Sequence, residues 1–153
     1  MDSLILDQIK KLREETGAGV VEAKKAIEES LGDYKKALQI LVDLGGAKLE
    51  KKADRAVGDG LIEAYVHATG KVGALLSIRC ETDFVARTEV FKQLAHEIAM
   101  QIAAVELENP TVEALLDSEY IRDPSKKVAD LISEAVGKLG ENIRIEKFTR
   151  FSI

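Results

Sequence analysis

Apolar positions recur along this chain with two different periods, and the change between them falls at Gly60. Before Gly60 the period is helical. Ile5, Ile9 and Leu12 are spaced i, i+4, i+7 and predict a helix from a Ser3 cap to about Thr16. Gly17 follows the last periodic residue, where a left-handed C-terminal position favours glycine, so Gly17-Ala18-Gly19 predicts a tight corner. Residues 20–31 predict a second helix with Val20, Ala23, Ile27 and Leu31 facing inward and Gly32 as its stop. Asp33 is the expected cap of a third, striped by Tyr34, Leu38, Leu41 and Val42, which Gly45-Gly46 is expected to end. Three short helices predict a compact bundle with a small core. Residues 47–59 are helix-prone but mostly polar and predict a connector helix.

After Gly60 the period is two. "LIEAYVH" sets Ile62, Ala64 and Val66 against Leu61, Glu63, Tyr65 and His67; "ATGK" supplies a turn; "VGALLSIRCE" sets Leu76, Ile78 and Cys80 against Ser77, Arg79 and Glu81. This pattern predicts a hairpin. From Thr88 the helical period returns through Phe91, Leu94, Ala95, Ile98 and Ile102, until Asn109-Pro110 breaks it. "TVEALLDSEYI" predicts a short helix. Pro124 or Ser125 is expected to open another, through Val128, Leu131, Ile132, Ala135 and Leu139 to Gly140. "NIRIEKFTRFSI" alternates again and predicts a third strand. The fold class is α+β: a three-helix bundle over 1–46, a connector over 47–59, and a core over 60–153. In that core, helices pack on one face of a three-stranded antiparallel sheet. A sheet covered on one side leaves the other bare, so a homodimer is expected, with Leu61, Tyr65 and Leu75 in the exposed set.

Composition narrows the function. The 153 residues are 46% hydrophobic and 32% charged with a net charge of −5, which describes a globular chain. Residues 1–55 hold 11 basic and 11 acidic side chains, and the remainder holds 11 against 16. Neither part is a basic field for nucleic acid, so the expected partner is a protein. The single cysteine, Cys80, excludes an internal disulfide and fits a reducing compartment. No stretch approaches the ~20 apolar residues of a membrane helix, and a cytoplasmic protein with no membrane contact is expected.

"TGAGVVEAKK" lacks the strand and spacing of a phosphate loop and reads as a helix–helix corner. His67 and His96 have no metal-ligand spacing and read as surface residues. Cys80 falls in the inward register as a small core residue. No nucleophile–base–orienter set assembles, which argues against an enzyme and for a binding protein, with no cofactor or metal expected.

One stretch resists the pattern. In "RCETDFVARTEVF" (79–91), Phe84 stands beside Asp83 where strand gives way to helix. A continued strand register puts Phe84 in the core with Ile78 and Cys80. A broken register turns Phe84 or Val85 outward. Periodicity leaves both readings open.

"LREETGAGVVEAKKAIEESLGDYKKAL" with "KKADR", "CETDFVA" before a helix, and "GKLGENIRI" occur in that order over nearly the whole chain. Together they resemble the translation elongation factor Ts family in its short bacterial form. The resemblance implies a guanine-nucleotide exchange factor for elongation factor Tu, whose N-terminal bundle is ubiquitin-associated-like and docks on the partner's GTPase domain. It implies that Asp83 and Phe84, within Thr82, Asp83, Phe84, Val85 and Ala86, enter near the partner's magnesium and phosphate site and promote GDP release. It places docking residues at Arg13, Gly17, Ala18, Gly19, Val20 and Val21. Two methionines commonly stand in the family where Val20 and Val21 stand here. A His common in its core helix is replaced by Gln101, expected to keep a polar contact. The helical hairpin and second core subdomain of longer members are expected to be absent. The alternatives are a non-exchanging adaptor that uses the bundle to hold another protein, and a thiol enzyme using Cys80.

Overall fold

The protein is described by a computed structural model over residues 3–153. It divides into two compact units, Met1–Asp54 and Arg55–Ile153. The first contains α1 (Ser3–Thr16), α2 (Val20–Glu29) and α3 (Tyr34–Ala53). Ser3 is already helical, so the cap of α1 lies outside the described residues. Ile9, Leu12, Ala23, Ala26, Ile27, Ala37 and Leu41 form the bundle's core.

Three expectations are corrected here. Val20 is exposed, and Leu31 is 95% exposed rather than inward. Helix α2 ends two residues early, and Leu31 enters a left-handed turn (φ 55) closed by Gly32 N–H donating to the Ile27 carbonyl at 2.9 Å. Val42 is also exposed, and Ala37 takes the inward place. Finally, Gly45-Gly46 does not end the third helix, and no separate connector helix follows it. Two glycines cost a helix ~1 kcal/mol each relative to alanine, too little to break one flanked by good helix formers. Lys48, beyond them, pairs with Glu22 of α2 and ties the extension down.

The second unit is built on β1 (Asp59–Val66), β2 (Val72–Cys80) and β5 (Arg144–Ser152), an antiparallel sheet in the order β1-β2-β5. The first pairing opens at Asp59 opposite Cys80, and the next position is held to glycine: Gly60 adopts φ 149, and a Cβ there would meet the Ile78 carbonyl oxygen at 2.1 Å. Helix α5 (Glu89–Ala104) packs on all three strands, α6 (Val112–Asp117) on β5, and α7 (Val128–Leu139) on α5. Leu76, Ile78, Cys80, Phe91, Ile98 and Ile102 fill the core between sheet and α5.

The bare face of the sheet differs from expectation in one register. Leu61 and Tyr65 are half-buried on the helix side, while Ile62, Ala64 and Val66 face out. The apolar outer set is therefore Ile62, Val66, Leu75 and Phe151. Pairing puts Leu75 opposite Ala64 and Gly73 between Val66 and Phe151. A small second sheet, β3 (Glu119–Tyr120) with β4 (Asp123–Lys127), was not expected. Residues 123–127 are strand, so α7 opens at Val128 rather than at Pro124 or Ser125. Its first turn is capped by Asp130, whose carboxylate accepts the Lys127 N–H at 2.8 Å.

Candidate functional site

Strand β2 ends at Cys80 and α5 begins at Glu89, and the elbow between them contains one helical turn, α4 (Asp83–Ala86). Thr82 caps that turn, its Oγ1 accepting the Val85 N–H at 3.4 Å. The Ala86 N–H donates to the Thr82 carbonyl at 3.2 Å and the Arg87 N–H to that of Asp83 at 3.1 Å. Thr88 then caps α5, accepting the Phe91 N–H at 3.2 Å while its hydroxyl donates to the Val85 carbonyl at 2.8 Å. Val85 and Ala86 are buried, with α4 packed on β1 and β2.

This settles which way the register breaks. Val85 takes the inward place and Phe84 is 78% exposed. Asp83 is also exposed, its carboxylate 3.2 Å from the Arg87 guanidinium. Exposed pairs of this kind contribute little, so Asp83 is free to change partners. Beneath the elbow, the buried Cys80 thiol donates to the Thr82 carbonyl at 3.2 Å. Burial, with help from the Glu141 and Asp59 carboxylates, pushes that thiol up to about 11, which makes it a poor nucleophile.

The corner between α1 and α2 gathers the N-terminal candidates. Gly17 adopts φ 71 and its N–H donates to the Arg13 carbonyl at 2.9 Å. The exposed Arg13 side chain donates to the Ala18 carbonyl at 3.4 Å. The Gly19 N–H donates to the Glu22 carboxylate at 3.2 Å, capping α2. Val20 and Val21 open the helix as neighbours in solvent, Val21 at 79% exposure.

Gln101 is placed differently. It is wholly buried, its amide nitrogen donating to the Glu119 carbonyl at 2.9 Å and its oxygen accepting the Ile121 N–H at 2.9 Å. It fastens β3 to α5 and presents no surface for the expected polar contact with a partner. One turn earlier, Glu97 accepts hydrogen bonds from Tyr120, Arg122 and Gln93. Burial works to raise the Glu97 carboxyl, but those donors outweigh it and hold it below its ordinary value.

Sequence reasoning assigned no role to Glu81, Glu141 and Asn142, which surround the elbow. The Glu141 carboxylate accepts the Glu81 N–H at 3.1 Å, the Thr82 N–H at 3.0 Å and the Thr82 hydroxyl at 2.7 Å. The sequence signals were a polar Glu-Asn pair between the helix-ending Gly140 and the inward Ile143, and the place of all three residues inside the stretches "CETDFVA" and "GKLGENIRI" that carry the resemblance. His96 meets Glu63 at 3.4 Å, but no group of three or more His, Cys, Asp or Glu among the described residues is arranged to hold a metal ion. No described helix is long and apolar enough to cross a membrane.

Fold and site together define an α+β protein with a separate helical unit and an aromatic side chain mounted outward on a braced elbow. A family model described as Elongation factor TS matches residues 81–153, from the elbow through β5. Three relatives extend the likeness to the helical unit, each bearing the name Elongation factor Ts. That of Thermotoga neapolitana is 44% identical, covering 97% of this chain and 96% of its own length. That of Coprothermobacter proteolyticus is 40% identical with 95% of each covered, and that of Herpetosiphon aurantiacus 37% with 99% and 98%. The chain belongs to the elongation factor Ts family. The alignment with the first runs over 189 residues, longer than this chain's 153, so that relative carries segments with no counterpart here.

Proposed function

We propose that this chain is a cytoplasmic guanine-nucleotide exchange factor that binds elongation factor Tu and speeds its release of GDP during translation elongation. Phe84 enters the partner beside the magnesium and phosphate site, and Asp83 is the polar half of the same device. The observation that carries this reading is the exposure of Phe84 immediately before two buried residues, Val85 and Ala86. A large apolar side chain held in water on a rigid mounting loses little freedom on binding, so most of its burial goes into affinity. Asp83 exchanges the Arg87 guanidinium for backbone donors or magnesium surroundings on the partner.

No covalent chemistry is required. The factor binds the nucleotide-free partner more tightly than the GDP-bound one, and linkage makes it weaken GDP by the same factor. Each tenfold of weakening needs ~1.4 kcal/mol of differential binding. The Arg13–Val21 corner supplies docking to the GTPase domain, through Val20 and Val21 in place of more flexible side chains. The chain touches the partner protein rather than nucleic acid.

The bare sheet face supports a homodimer within this reading. Ile62, Val66, Leu75 and Phe151 form an apolar patch, and a two-fold axis lets the patch cover itself. Light scattering at tens of micromolar is expected to give the dimer mass, and Leu75→Lys the monomer; a monomeric wild type rejects it.

Release of labelled GDP from elongation factor Tu tests the function. Phe84→Ala is expected to slow release at least about tenfold, a loss of ~1.4 kcal/mol or more, with the melting temperature nearly unchanged. Normal exchange by a well-folded Phe84→Ala protein overturns the wedge. No acceleration by the wild type leaves an adaptor.

A further inference from the structure

We infer that Glu141 is a positioning residue: its carboxylate sets the elbow from which Phe84 and Asp83 project. The inference rests on the exchange reading above and adds a residue that acts through the wedge without touching the partner.

The argument starts where the sheet stops. The β2–β5 ladder runs out at Arg79 opposite Arg144 and the β1–β2 ladder at Cys80 opposite Asp59, so no strand pairing fixes the backbone beyond Cys80. The elbow starts two residues later, at Thr82. Side chains replace the ladder across this gap, in both directions. Glu141 takes the backbone N–H groups of Glu81 and Thr82 on one carboxylate oxygen and the Thr82 hydroxyl on the other. Glu81 reciprocates, accepting the Asn142 N–H at 2.8 Å. Glu81 also pairs with Arg55 at 3.6 Å, and the Asn142 amide donates to the Arg55 carbonyl at 2.8 Å. The result is a latch of two carboxylates, each bonded to the backbone of the other's segment, just past the end of β2 and just before the start of β5.

Thr82 is the point at which the latch reaches the wedge. Its hydroxyl proton goes to Glu141, which turns a lone pair toward the Val85 N–H and fixes the cap of α4. Its extended backbone (φ −128, ψ 155) sets the direction in which α4 leaves the strand. Phe84 is two residues further on, on a single helical turn, so a rotation at Thr82 swings its ring. A carboxylate suits the task because its oxygens are acceptors only, and three donors converge on it. Rate falls steeply with misplacement of a group that acts by position.

The buried Cys80 thiol gives an independent readout. It lies under the elbow and donates to the Thr82 carbonyl, so loosening of Thr82 exposes it to alkylating reagent. The test uses the full-length protein. Glu141→Ala is expected to lower the GDP-release rate at saturating factor by about tenfold and to raise the alkylation rate of Cys80 severalfold. Glu141→Gln keeps an acceptor oxygen for both N–H groups but sets a donor against the Thr82 hydroxyl, so it is expected to fall between Glu141→Ala and the wild type on both readouts. Glu141→Asp, a methylene short, is expected to behave like the alanine variant and replaces it if alanine does not fold. The double variant Glu141→Ala/Phe84→Ala is expected to be no slower than Phe84→Ala alone. A wild-type saturated rate for Glu141→Ala, with Phe84→Ala slow, overturns the inference and leaves the wedge intact. If Phe84→Ala exchanges normally the function reading falls instead, and Cys80 alkylation alone then decides whether Glu141 holds the elbow.

Discussion

The elbow at 82–86 and the corner at 17–21 both hold apolar side chains out in solvent, Phe84 and Val21 to nearly the same fraction. They differ in what stands behind the exposed group. Behind Phe84 are two buried neighbours, two capping threonines and a carboxylate, Glu141, from across the chain. Behind Val21 is a glycine turn, closed by short-range hydrogen bonds to residues within five positions. The corner presents a surface; the elbow presents a single group at a fixed angle. A surface suits docking, where many small contacts add up. A fixed projection suits displacement, where one group must reach a set point in a partner.

The most severe way to break the comparison is to swap the roles of two phenylalanines. Phe91→Ala, which removes a ring wholly buried under the sheet, is expected to cost ~3–5 kcal/mol, read by thermal unfolding. Phe84→Ala is expected to change stability by no more than ~0.5 kcal/mol while exchange collapses. Equal melting temperatures for the two variants would erase the distinction between wedge and core.

Next comes the bracing of the elbow. The Cys80 thiol, pushed up to about 11 from an ordinary 9.0, is expected to react with iodoacetamide at pH 8 about a hundredfold more slowly than a free thiol, from its thiolate fraction alone. Its folded-state pKa is raised, so the folded state holds the proton more tightly than the unfolded chain. The corresponding stability is complete below pH 9 and is lost as pH rises through about 11. A denaturation midpoint flat across that alkaline window contradicts the burial of Cys80 beneath the elbow.

A smaller effect is expected at the corner. Val21→Asp should weaken complex formation about tenfold by leaving an unpaired charge in the interface, with the saturated GDP-release rate unchanged. A fall in the saturated rate instead would mean the corner does more than dock. The least perturbing test is Gly45→Ala. A Cβ there meets nothing within 4 Å, and the change is expected to add ~0.5–1 kcal/mol of stability with no effect on exchange.

The helices and strands were largely legible because their periods are set by local geometry, as in Leu76, Ile78 and Cys80, all fully buried as expected. Errors came where a local signal competes with a distant one. Gly45-Gly46 reads as a stop, but the good helix formers on either side carry the helix through it, and Lys48 beyond them reaches Glu22, 26 residues away. Asp123–Lys127 reads as a helix start, but Glu119 and Tyr120 offer it a strand partner. Leu61 and Ile62 are both apolar, so alternation alone does not say which one faces α5. Within the site, periodicity left Phe84 undecided. Gln101 was expected to meet a partner on the strength of the resemblance, and nothing in its helical stripe signals the hairpin that absorbs it. Glu141 stayed invisible because its three donors are 59 or 60 residues away.

That separation has a consequence for the order in which the molecule assembles. The β1–β2 hairpin closes through a turn in which His67 bonds to Val72, and the three helices of the first unit form almost entirely from near neighbours. The two carboxylate latches span 59–61 residues. Closing a loop costs entropy that grows with its length, and long-range pairings delay folding. The elbow therefore acquires its final geometry only when β5 has docked, after the bundle and the hairpin already exist. A nascent or refolding chain passes through a stage at which its docking corner is complete and its wedge is not.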